Sequence, residues 1–169
     1  LANQVFYEVY VSSESKFNSF EYENVTYKYV ASRAKEGIVE AKNTTAVRIT
    51  DLERTVIDGI RDFNRIGGLE ELLKCLEGIY YLDEAKLHQH LNVYNTQGLY
   101  QKAGYILQHY QKPMQLSNEF FDYCKGKIGK SRRYLLSESI NASTYNNEWK
   151  LMIPEGLFEV TEQGGDILV

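Results

Sequence analysis

Three groups of side chains in this sequence have types and spacings that could do chemistry. The first is Glu40-Ala41-Lys42, which matches the E-x-K half of a metal-dependent nuclease site. Such a site holds its Mg2+ between two carboxylates, because a hard dication takes anionic oxygen ligands. The second carboxylate is usually an Asp on an adjacent strand. Here the first Asp is Asp51, after the motif and at a helix start, so only Glu8, Glu21 or Glu23 could serve upstream. A divalent-metal nuclease on Glu40 and Lys42 is thus an alternative reading, set against a solvated strand edge. The second group is His88 with His90. Two residues apart on a helix means roughly 200° apart around its axis, so the pair cannot chelate one ion. These histidines, and His109, read as surface or half-buried side chains. No nucleophile elbow, P-loop or dinucleotide fingerprint occurs. No catalytic residue, metal or cofactor is assigned, and the expectation is a protein that is not an enzyme.

The third group is basic. Residues 99–136 carry 7 basic and 2 acidic side chains, whereas residues 137–169 carry 1 basic and 6 acidic. Within the basic part, Lys125, Lys127, Lys130, Arg132 and Arg133 fall in nine residues with two glycines, KGKIGKSRR. A flexible basic loop of this composition can contact phosphates, or an acidic partner, without reading bases. The bland alternative is a solvated turn or one folded onto the acidic tail. Tyr27, Tyr29, Tyr100, Tyr105 and Tyr134, from a total of 14 tyrosines, could stack on bases, but tyrosine at alternating strand positions more often reads as a half-buried sheet residue.

The elements that position these groups are legible from periodicity. VFYEVYV at 5–11 and VTYKYV at 25–30 alternate with period two and read as strands. IVEA at 38–41 and AVRI at 46–49 read as a hairpin around Lys42-Asn43-Thr44-Thr45. From Thr50 the period changes to that of a helix, with Leu52, Val56, Ile60 and Phe63 on one stripe. Thr50 and Glu53 form a T-x-x-E capping box, and Arg54, Asp58, Arg61 and Asp62 are spaced as ion pairs along that helix. Four more helices are predicted. The second runs from Leu69 to Gly78, the third is capped by Asp83, the fourth follows a break at Gly98, and the fifth is capped by Ser117. RRYLL at 132–136 and EWKLMI at 148–153 return to strand character, with Pro154 ending the second. Strands, then helices, then strands in blocks imply an α+β fold, with a mixed, largely antiparallel sheet and a central block of about five helices. Residues 1–154 are expected to form one domain, and residues 155–169 a loosely docked acidic tail.

At 169 residues and 19.6 kDa, with 43% hydrophobic and 25% charged residues, the chain can bury a core without disulfides or metal. Cys75 and Cys124 read as buried reduced thiols, and the sequons at Asn24, Asn43 and Asn141 matter only in a secreted protein. No signal peptide and no apolar run of about 20 residues is visible, so a cytoplasmic protein with no membrane contact is expected. The net charge of −4 argues against attraction to nucleic acid through bulk charge. A start at Leu1, on a strand and without Met, reads as a piece of a longer protein.

Several phrases together resemble the antitoxin family of AbiE abortive-infection systems, the bacterial type IV toxin–antitoxin regulators of phage defence. They are Leu1-Ala2-Asn3-Gln4, RITDLERTVIDGI from Arg48 to Ile60, GGLEELLKCL from Gly67 to Leu76, and KAGYILQHY from Lys102 to Tyr110, which fits a family helix containing a glycine. The resemblance covers roughly residues 1–112. It implies the C-terminal antitoxin domain of a transcriptional regulator that binds operator DNA mainly through an N-terminal winged helix absent from this sequence. It also implies a functional partner, a nucleotidyltransferase-like toxin, counteracted without a stable complex. No catalytic residue is implied. Glu53, Arg54, Thr55 and Asp58 match the family signature, with a structural role the simpler reading.

Overall fold

A computed structural model describes residues 7–32, 35–42, 47–136 and 142–158. The fold is α+β, with strands flanking a helical middle. Strand β1 (Glu8–Ser13) pairs in parallel with β3 (Val25–Ala31), and β2 (Phe20–Tyr22) pairs antiparallel with the other side of β3. β2 escapes periodicity because it has only three residues. Its turn into β3 puts both Glu23 (φ 49°) and Asn24 (φ 63°) in the left-handed region, the conformation that closes a two-residue hairpin. β4 (Ile38–Glu40) and β5 (Arg48–Thr50) form the expected hairpin, although residues 43–46 of its loop lie outside the described residues.

Five α-helices follow: α1 (Leu52–Arg61), α2 (Leu69–Glu77), α3 (Glu84–Tyr94), α4 (Gln97–His109) and α5 (Asn118–Gly126), with a 3-10 turn at Phe63–Ile66 after α1. Their apolar stripes converge on one core containing Ile57, Ile60, Leu76, Leu87, Leu91, Ile106, Leu107 and Phe120. Asp83 and Ser117 cap α3 and α5 through their side chains as predicted, each satisfying a backbone N–H that no helical carbonyl can reach. Two helix starts differ from prediction. The cap of α1 is Asp51, whose side chain accepts the Arg54 N–H, and not Thr50. A carboxylate one residue nearer the helix takes the role and adds charge that favours the N-terminus. Gly98 lies inside the first turn of α4 rather than before it.

The last strands are β6 (Arg133–Tyr134), β7 (Ser143–Asn146) and β8 (Leu151–Pro154), ordered β6-β8-β7. Trp149 lies in the turn before β8, not in a strand as expected. Its indole is fully buried against α4, and its ring N–H donates to Gln108 Oε1. Among the described residues the strands make three small sheets, mixed or antiparallel. The first has two distinct faces. Register puts Val9, Val11, Tyr27, Tyr29 and Phe20 on one face, where Phe20 stacks on Tyr27 and Phe17 meets Tyr29 edge-on. On the other face, the Arg65 guanidinium lies 5.7 Å from the Tyr10 ring, turning that side toward the 3-10 turn after α1.

Candidate functional site

Asp51, Glu53, Arg54 and Asp58, at the start and along α1, make a polar knot that is buried at Glu53 and Arg54. Glu53, expected in a capping box with Thr50, and Arg54, expected in an ion pair along the helix, are 6% and 3% exposed. Glu53 does not complete a capping box. Its carboxylate accepts the backbone N–H of Asp83 at 3.0 Å and lies 3.6 Å from Lys86 Nζ, joining α1 to the start of α3. Arg54 donates through an Nη to the Glu36 carbonyl at 2.6 Å, while its Nε is 3.5 Å from Asp58. Asp58 also accepts the Tyr94 hydroxyl, and Arg61 lies over the Tyr94 ring at 4.5 Å instead of pairing along the helix. Burial and the Asp58 carboxylate push the Tyr94 phenol up to about 12. Asp62 pairs with Arg65, not with a residue of α1. Thr55 remains exposed, and its hydroxyl donates to the Asp51 carbonyl.

His90 enters the same knot. It is 2% exposed, so the expectation of a surface or half-buried side chain fails for it. Its Nε2 lies 3.3 Å from Asp51 Oδ1, and its ring abuts Gly37, where a Cβ would come within 2.4 Å of Cε1. Gly37 has φ +67°, donates no side chain to that space, and offers its carbonyl to the Asp51 N–H. The turn before β4, α1 and α3 thus close on one another. This role was hidden in the sequence because its partners, Glu36 and Gly37, lie far from Arg54 and His90 along the chain.

The nuclease pair does not converge on further ligands. Glu40 is exposed on β4 opposite Arg48, and Lys42 is exposed in the turn that follows. Among the described residues, no three His, Cys, Asp or Glu side chains gather as a metal would need. His88 is half-buried between Phe120 and Tyr123, and desolvation lowers its pKa from the usual histidine range. His109 stacks on Phe158 at 3.7 Å, which places the beginning of the acidic tail against α4. Residues 159–169 lie outside the described residues. A cleft of about 550 Å³ opens there, walled by Tyr105, His109, Ile153 and Phe158. Of the residues the sequence offers for base stacking, Tyr105 lines it; Glu40, Lys42 and the basic group do not.

The basic group divides in two. Lys125, at the end of α5, is bound by Glu148 at 2.6 Å and Asp122 at 3.7 Å, and stands 5.5 Å from the Trp149 ring. Lys127, Lys130, Arg132 and Arg133 are exposed, with no acidic partner among the described residues. Lys127 lies over Tyr123 and Arg132 over Tyr134, so both rings lean on cations of the loop. The loop is also tied down, contrary to the flexibility its glycines imply. The fully buried Gln101 donates to the Ser131 and Lys150 carbonyls, Gln97 donates to Ser131, and Lys150 Nζ donates to the Gly129 carbonyl. The tyrosines weighed for stacking are mostly committed elsewhere. Tyr100 is buried with its hydroxyl on Asn92, Tyr105 packs near Phe158, and Tyr27 is covered by Phe20.

Both cysteines are thiols. Cys124 is buried and its pKa is pushed up to about 12, whereas Cys75 is only half-buried. Among the described residues, no helix is long and apolar enough to cross a membrane. Comparison with protein-family models, with curated proteins and with solved structures finds no match.

Proposed function

We propose that this chain is a non-enzymatic antitoxin domain of the AbiE type, which counteracts a nucleotidyltransferase-like toxin and assists operon repression by a winged-helix module. The reading rests on the resemblance of the Arg48–Ile60 string, and one observation carries it further. Glu53, Arg54 and Asp58 of that string spend their charges on Asp83, Glu36 and Tyr94, inside the fold. Tie points of this kind, buried at Glu53 and Arg54, suit a binding domain, whose activity lies in the surface the fold presents. Apolar surface is available for such contact: Tyr7, Phe20, Tyr22, Val39, Val47 and Ile49 are all exposed in the β half. Operator DNA would be held mainly by the winged helix, and the toxin would be opposed without a lasting complex. The chain acts in the cytoplasm on this reading. Co-expression with a nucleotidyltransferase-like toxin of the AbiE type tests the proposal: restored growth supports it, and failure of this chain both alone and joined to a winged-helix module overturns it.

A further inference from the structure

We infer that the segment after α5 is a preorganised, sequence-independent contact for the phosphates of duplex DNA, made by Lys127, Lys130, Arg132 and Arg133. This does not rest on the antitoxin reading. Four exposed cations within seven residues lack acidic partners among the described residues, although the chain as a whole is acidic. At about 0.1 M salt, charges more than roughly 10 Å apart in solvent are largely screened, so this local cluster outweighs the total of −4. Lys125 is already paired with Glu148 and Asp122, so it adds no free charge to the cluster.

Mounting distinguishes this segment from an ordinary solvated turn. The Ser131 carbonyl, between Lys130 and Arg132, accepts from both Gln97 and the buried Gln101. Gly129 is held by Lys150 and sits so close to Gln97 that a Cβ there would lie 2.8 Å from its Oε1. A backbone fixed in this way loses little further entropy when phosphates bind. A cation of the segment lies over each neighbouring ring, Lys127 over Tyr123 and Arg132 over Tyr134, which leaves less ring surface for base stacking. Contacts to phosphate alone follow, and these favour a duplex, whose bases are already stacked away from the protein.

Fluorescence anisotropy with a short mixed-sequence DNA duplex, titrated across salt concentrations, tests the inference on the whole chain. The native chain should bind at low salt, with log affinity falling linearly against log salt. Replacing all four residues (K127Q, K130Q, R132Q and R133Q together) should lower that slope by about 0.9 per lost phosphate contact and weaken low-salt binding at least about tenfold. All four are exposed, and an unchanged melting temperature shows that the variant folds. Lys125→Gln should leave the slope within error of the native value, because its charge is already paired. An unchanged slope in the quadruple variant, no binding by the native chain, or equal affinity for polyglutamate at the same ionic strength would each overturn the inference. Growth rescue from the toxin is a separate readout, so failure here leaves the antitoxin reading to its own test.

Discussion

Gly104 of α4 lies flat against the ring of Trp149, so close that a Cβ at position 104 would fall 2.0 Å from Trp149 Cζ3. The glycine costs the helix about 1 kcal/mol of propensity relative to alanine. It is retained because it opens the seat for the indole, which brings the turn before β8 onto the helical core. The Trp149 ring also lies near the start of the basic segment, with Lys125 Nζ 5.5 Å from its centroid and paired to Glu148.

Gly104→Ala should therefore destabilise the protein despite its better helix propensity. Overpacking a buried contact costs about 1–3 kcal/mol, which exceeds the propensity gain at this separation. A lower denaturant midpoint is expected, and because Trp149 is the single tryptophan, its fluorescence should shift toward that of an exposed indole.

Arg54→Ala should be among the most damaging changes in α1. It leaves the Glu36 carbonyl without its donor and Asp58 without its cation. Removing one member of a buried pair costs about 3–5 kcal/mol, and the lower end applies because Asp58 is one-third exposed. Glu53→Gln should cost much less, since an amide oxygen can still accept the Asp83 N–H. Equilibrium unfolding of the two variants should rank them in that order, and equal losses would contradict the assignment of Glu53 as a backbone acceptor.

Alkaline pH should destabilise the fold. Burial raises the phenols of Tyr94, Tyr100 and Tyr110 to about 12, from an ordinary value of 10.0. A raised folded-state pKa contributes stability that is complete below pH 10 and is lost as the pH rises through about 12. Spectroscopic titration should show these tyrosines ionising late, together with loss of helical circular dichroism.

The two thiols should differ in reactivity. Desolvation raises the pKa of both, but Cys124 is fully buried with its value pushed to about 12, and Cys75 lies half-buried on α2 beside Glu71. Alkylation of the native protein followed by peptide mass mapping should label Cys75 first, with Cys124 reacting only on unfolding.

Local rules made the helices readable. Stripes such as Leu87 with Leu91 and Phe120 with Cys124 face the core as their spacing requires, and Asp83 and Ser117 cap where their side chains can reach free N–H groups. β3 is equally plain from its alternation. What stayed hidden depends on contacts distant in sequence. Arg54 looks like half of a surface ion pair until the Glu36 carbonyl is seen beside it. Lys125 looks like one of five equal cations until Glu148 claims it. The glycines of the basic segment imply freedom, but Gln101, a residue of α4, holds the loop through Ser131. Short strands such as β2 and β7 hold too few residues for any period to show.

The central claim, that this chain protects against a toxin by binding and without catalysis, is tested most directly by plating. Cells would express a nucleotidyltransferase-like toxin of the AbiE type alone, with residues 1–169, or with residues 1–169 joined to a winged-helix module. Restored colony counts with residues 1–169, retained when Glu40 and Lys42 are both replaced by Ala, are the predicted result. Growth that no version restores, or rescue abolished by E40A and K42A in a protein that still folds, would contradict it.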